Sequence, residues 1–135
     1  MADLQLHCEL TAPAEMVFYT WQNGYTQGNI IGALCKITPM VQGDFELWNG
    51  AVTGTFLSIE KPRKLRMTWK TIDFEESTPP TLLTLEFQQH AKGGSRLIVT
   101  HENIPEMMLQ QFKMAWQDVY FPQARQFFFQ HFPNG

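Results

Sequence analysis

Cysteine is scarce in this chain, with two among 135 residues, Cys8 and Cys35. Neither lies in a C-x-x-C pair or beside histidines at zinc spacing. A short disulfide-held secreted scaffold would carry more. Both are read as buried, reduced thiols, which suits a cytoplasmic protein. Long apolar runs are missing too. The longest, Ile30 to Cys35 around Gly32, falls far short of the roughly 20 residues that cross a bilayer. Asp3, Glu9 and Glu15 interrupt any secretory leader, and there is no N-x-S/T sequon. Positive charge is not in excess: the formal net charge is −3, so the overall balance gives no nucleic-acid footprint. Neither nucleic acid nor membrane is expected as a partner.

The usual marks of catalysis are also absent. Gly93-Gly94 fits neither Walker nor dinucleotide spacing. No serine stands in a nucleophile elbow. His101-Glu102 begins like a zinc-protease motif, but the place of its second histidine is taken by Pro105. His101 therefore reads as structural, at a strand end, and His7, His90 and His131 as solvated. No metal and no cofactor is expected.

Rings, by contrast, are plentiful. Aromatics make up 13%, with eleven Phe and four Trp, more than a small core needs. The length predicts one domain over residues 1–135. Leu4, Leu6, Cys8 and Leu10 alternate with polar residues and predict a half-buried strand. Thr11 to Glu15 reads as a helix entrance, with Thr11 as cap and Pro13 at an early helical position. Two short helices follow, the first ending at Asn23-Gly24 and the second within Thr26 to Leu34. Phe45 and Leu47 alternate with Asp44, Glu46 and Trp48. Asn49-Gly50 predicts a type I′ hairpin, and Gly54 marks a bulge or close approach in the returning strand, Val52 to Ile59. Leu65, Met67 and Trp69, then Leu83, Leu85 and Phe87, then Leu97 and Val99 mark three more strands facing a core.

After Pro105 the period changes. Leu109, Phe112, Ala115, Trp116, Val119, Tyr120, Ala124, Phe127 and Phe128 recur at three- and four-residue steps, one apolar stripe on a long helix that Pro122 should kink or split. The expected class is α+β: a curved antiparallel sheet of about six strands wrapped on a long C-terminal helix, with two short helices after the first strand.

Gly43-x-Phe45-x-Leu47, Gly50-x-Val52-x-Gly54, Pro62, Met67-x-Trp69, Leu83-x-Leu85-x-Phe87, Ile104-Pro105 and Ala115-Trp116 form an ordered set. In order and spacing this set resembles the family named for the activator of heat-shock protein 90 ATPase, of its C-terminal-domain type, from about Leu4 to Phe128. Tyr120-Phe121 and Phe127 to Phe129 look like its eukaryotic co-chaperone branch. Gln42-Gly43, Ala115-Trp116 and Lys70 depart from the Gly-Gly, Gly-Trp and Arg common there. The resemblance implies a START-like, Bet v-like helix-grip fold of the SRPBCC superfamily. It also implies a non-enzymatic, cytoplasmic co-chaperone of the stress response that binds heat-shock protein 90 and modulates its ATPase. The full co-chaperone carries a further N-terminal domain, and these 135 residues correspond to the C-terminal module.

Two sets of site residues follow. Lys61, Arg63, Lys64, Arg66 and Lys70 hold half of the ten basic residues and make a candidate patch for an acidic partner surface. Phe45, Phe56, Met67, Trp69, Leu83, Leu85, Phe112, Trp116 and Tyr120 point inward and would line any cavity between sheet and helix. The alternative function is therefore a binding protein for a small apolar ligand. Asp44 and Glu46 share a strand face, but it is the wetter one, so they are not expected to do acid–base work.

Overall fold

The computed structural model describes residues 1–133. Strand β1 (Ala2–Leu10) leads into helices α1 (Ala14–Thr20) and α2 (Gly24–Ile31). Six strands follow: β2 (Lys36–Ile37), β3 (Asp44–Leu47), β4 (Val52–Glu60), β5 (Lys64–Thr71), β6 (Thr81–His90) and β7 (Gly93–Ile104). A helical rod then runs through α3 (Leu109–Met114), a π-helical segment (Ala115–Tyr120) and α4 (Phe121–His131). The sheet is antiparallel throughout, in the order β1-β7-β6-β5-β4-β3-β2. The α+β helix-grip architecture is as expected, but the sheet has seven strands rather than about six. The additional one, β2, is only two residues long, too short to display a period of two.

Alternation sets the two faces of the sheet. Leu65, Met67 and Trp69 of β5, Leu83, Leu85 and Phe87 of β6, and Leu97 and Val99 of β7 are buried against the rod. Each such side chain contributes about 1.5–3 kcal/mol on leaving water. Gly54 in β4 lies opposite Phe45, and a Cβ there would collide with the Thr68 carbonyl and the Phe45 ring. This is the close approach that a glycine inside a strand signals.

The helix entrances differ from expectation. Pro13, not Thr11, stands at the N-cap of α1, in extended conformation and with no side-chain cap. The Ala14 N–H donates instead to Gln89 Oε1 of β6 at 2.8 Å, so a tertiary contact replaces the local cap. Asn23, expected to end the first helix, caps the second, its side-chain oxygen accepting the Thr26 N–H at 3.1 Å.

The rod explains its own irregularity. Phe112, Trp116, Tyr120, Ala124 and Phe128, every fourth residue, are all buried. In a regular α-helix four residues overshoot one turn by about 40°, so such a row would wind away from the sheet. In the π segment the Phe121 N–H donates to the Trp116 carbonyl, five residues back, and the wider turn restores the row. The break expected at Pro122 therefore falls in the turn before it. Ala115 and Val119, expected in the buried stripe, are exposed on the rod's flank for the same reason.

Candidate functional site

The β3–β4 connection shapes the site. Leu47 pairs with Val52, so the loop holds four residues, Trp48 to Ala51, rather than a two-residue type I′ turn at Asn49-Gly50. Three successive residues have positive φ: Trp48 at 49°, Asn49 at 57° and Gly50 at 91°. Asn and Gly accept that region readily, but a bulky Trp does not. The loop is held by Asn49 N–H donating to the Leu34 carbonyl at 2.8 Å, Ala51 N–H to the Trp48 carbonyl at 3.1 Å and Ile72 N–H to the Ala51 carbonyl at 3.0 Å. Trp48 was expected beside Asp44 and Glu46 on the wetter face. The left-handed turn takes it out of the strand's alternation, and it sits half-buried at the rim of a cleft.

The cleft has a volume of about 320 Å3. One wall is the end of β4 and β5 with the chain just beyond it: Ala51, Val52, Trp69, Thr71, Ile72 and Asp73. The rod supplies the other: Gln111, Phe112, Ala115, Trp116, Val119 and Tyr120. Asp73 is the one charged residue among the described lining, and its carboxylate accepts the Gln111 side-chain amide at 3.1 Å. Val119 and Ile72 are 44% and 75% exposed, so the mouth is an apolar surface open to solvent.

Beneath the cleft runs a directed hydrogen-bond chain. The Trp116 indole N–H donates to His101 Nδ1 at 3.2 Å. His101 therefore carries its proton on Nε2, which donates to Thr81 Oγ1 at 2.7 Å, and the Thr81 hydroxyl donates to the Trp69 carbonyl at 2.7 Å. His101 is fully buried, and loss of solvation holds its pKa down at about 3, so the ring is neutral. The sequence reading placed His101 at a strand end. It lies within β7 instead, and its inward phase after Leu97 and Val99 was the available signal.

One turn along the rod lies a second buried polar cluster. The Tyr120 hydroxyl, the Trp21 indole N–H and both amide atoms of Gln27 are buried, and none makes a well-aligned hydrogen bond among the described residues. Burial pushes the Tyr120 phenol well above its ordinary range, and the neighbouring Gln27 and Trp21 side chains partly oppose this by hydrogen bonding toward its oxygen. Cys8 and Cys35 are both free and buried, and desolvation raises both thiols. The Arg125 guanidinium, 3.4 Å from Cys8 Sγ, partly opposes this at Cys8.

The nine inward candidates divide. Trp69, Phe112, Trp116 and Tyr120 line the cleft, whereas Phe45, Phe56, Met67, Leu83 and Leu85 lie in the filled core away from it. Trp48, Val52, Ile72 and Asp73 join the lining without having been singled out. The five basic residues do not form one cluster. Lys61, Arg63 and Lys64 surround the β4–β5 hairpin, where Arg63 lies 3.5 Å from Glu60 and Lys64 is in register with Glu86. Arg66 follows along the outer face of β5, and Lys70, six residues beyond Lys64, is about 20 Å away by strand rise. Lys70 shares a depression with Asp44 and Glu46. Of the other histidines, His7 is exposed on β1 and His90 closes β6 with Nε2 at 2.9 Å from Glu9. His131 stacks on Phe127 at a centroid distance of 4.4 Å. Arg96 Nε donates to Glu9 at 2.8 Å and holds that carboxyl below its usual range. No helix among the described residues is long and apolar enough to cross a membrane.

No curated protein matches the chain. Among solved structures, a crystal structure from Plasmodium falciparum described as an HSP90 activator is 27% identical, with a TM-score of 0.82 over 90% of this chain and 92% of that one. The solution structure of an Aha1 dimer from Colwellia psychrerythraea has a TM-score of 0.76 at 12% identity, covering 95% and 96% of the two chains. CalU16 from Micromonospora echinospora has a TM-score of 0.75 at 20% identity, covering 90% and 71%. The last two likenesses concern the fold. The family model described as activator of Hsp90 ATPase homolog 1-like protein matches residues 11–123, from the turn before α1 to the start of α4. That span takes in the β3–β4 loop, both walls of the cleft and the His101 chain, and the protein is thus a member of the activator of Hsp90 ATPase homolog 1-like family.

Proposed function

We propose that this domain is a non-enzymatic co-chaperone module that binds heat-shock protein 90 and modulates its ATPase, acting in the cytoplasm. The observation that carries this reading is the likeness to the Plasmodium HSP90 activator over nine-tenths of both chains. The hairpin cations Lys61, Arg63 and Lys64, with Arg66 along β5, would steer the module toward an acidic surface. Modulation requires unequal affinity for two chaperone states, since a ligand shifts an equilibrium only by its differential affinity. The buried histidine, neutral and bonded at both nitrogens, is poorly placed for acid–base work. The test is ATP turnover by heat-shock protein 90 with and without the protein, at low and near-physiological salt. Stimulation that falls with salt and with Arg63→Glu and Arg66→Glu supports the reading. Absence of binding in every nucleotide state ends it.

The cleft favours a second reading, a binding protein for a small apolar ligand. Its volume of about 320 Å3 lies at the lower end of the range for small-molecule pockets. A thermal-shift screen of apolar compounds tests this directly, with any stabilisation required to disappear in Val119→Glu.

A further inference from the structure

The cleft also has a charge preference. We propose that it binds an organic cation, a quaternary or fully methylated ammonium carried on a small apolar body, against the rings of Trp48, Trp69, Phe112, Trp116 and Tyr120 and beside the carboxylate of Asp73. This inference rests on the second reading, that the cleft takes a small ligand, and it specifies the ligand's chemistry.

Four observations carry it. Five lining residues are aromatic and three of them are Trp, the ring with the strongest attraction for a cation on its face. The only charge in the described lining is negative: Asp73 has no ion-pair partner among the described residues, and no Lys or Arg lines the walls. Next to the lining residues along the chain, Glu75, Glu76 and Asp118 stand against Lys70 and Lys113. The charge within the lining itself therefore favours a cation over an anion.

The third observation is the backbone of Trp48. A bulky residue at φ 49°, followed by two more residues of positive φ, is an uncommon conformation. Its three flanking hydrogen bonds fix the turn that presents the indole at the rim. The fourth is the apolar character of the walls. The interior walls are largely apolar, and the polar groups of the lining are few: Asp73 and Gln111, which already bond each other, and the Thr71 and Tyr120 hydroxyls. A primary ammonium brings three N–H donors that would lose water without replacement, whereas a quaternary ammonium brings none. The largely apolar walls thus suit a methylated ammonium, which asks for no acceptor.

The experiment compares benzyltrimethylammonium with neopentylbenzene, its neutral isostere in which carbon replaces the ammonium nitrogen, by tryptophan fluorescence titration of the full chain at low salt. The cation is expected to bind about tenfold more tightly than the isostere. Asp73→Asn is expected to remove several-fold of that preference while leaving the isostere's affinity unchanged. Trp48→Phe, which keeps a ring, is expected to lose less cation affinity than Trp48→Leu. Equal or weaker binding of the cation overturns the proposal and leaves the apolar-ligand reading in place. Binding of neither probe overturns both. A thermal melt of each variant separates lost binding from lost folding.

Discussion

Two buried polar clusters sit one turn apart on the same rod, and they are built in opposite ways. Around Trp116, each donor has an acceptor: indole to His101, His101 to Thr81, Thr81 to the Trp69 carbonyl. This chain ties the rod to β7, β6 and β5 at once. Around Tyr120, four polar atoms of three residues face one another without a well-aligned hydrogen bond among the described residues. A buried unsatisfied group costs about 1–3 kcal/mol, whereas a completed hydrogen bond gains about 1 kcal/mol net. The first cluster fixes the floor of the cleft, and the second is a reservoir of unspent polarity in the core behind it. Burial alone does not make a polar residue stabilising; the completeness of its bonds does.

The largest effect expected from this contrast is on acid stability. The folded pKa of His101, about 3, lies below its unfolded value of 6.5. Between these values the unfolded chain holds a proton that the folded one refuses. The stabilisation is complete above about pH 6.5, declines as pH falls, and is exhausted near pH 3, amounting at most to about 5 kcal/mol. Urea titrations from pH 7 to pH 4 should trace this slope, and His101→Phe should flatten it. An unchanged slope in that variant means that other groups govern the acid response.

Thr81→Val should come next, at about 2–3 kcal/mol, because it orphans both the His101 N–H and the Trp69 carbonyl. Denaturant midpoints measure it, and a cost below 0.5 kcal/mol, about that of an ordinary surface change, breaks the claim that the chain is saturated. On the other side, Gln27→Met should stabilise by about 1 kcal/mol, since it removes two unpaired polar atoms at similar volume. Tyr120→Phe should be smallest, within about 1 kcal/mol of neutral, as its hydroxyl makes no well-aligned hydrogen bond. A loss above 2 kcal/mol in either variant would show that the second cluster is bonded in solution and erase the contrast.

Much of the fold was legible because long strands and a long helix repeat their signals. β5, β6 and β7 alternate over eight to twelve residues, and their inward residues follow from that phase. β2, with two residues, offered no phase to detect. The N-terminal cap of α1 escapes the sequence for a different reason. Gln89 reaches Ala14 across 75 positions, and no local pattern encodes such a contact. The cleft was half legible. Trp69, Phe112, Trp116 and Tyr120 follow from period, but Trp48 does not, because a left-handed turn removes it from the alternation its neighbours obey. The π segment was visible only as a row of every-fourth residues, a spacing that a regular helix cannot keep on one face.

The pairing of β1 with β7 has a consequence for synthesis. Leu4 lies opposite His101 and Leu10 opposite Ser95, so the first strand of the sheet in chain order pairs, among the described residues, with the last alone. At translation rates of roughly 5–20 residues per second, β1 waits about 5–20 s for β7 to be made. During that interval it is an alternating segment with both edges unpaired, a template for stray pairing with another nascent chain. The native sheet cannot close until β7 emerges, so synthesis of the intervening segment keeps β1 and its partner apart.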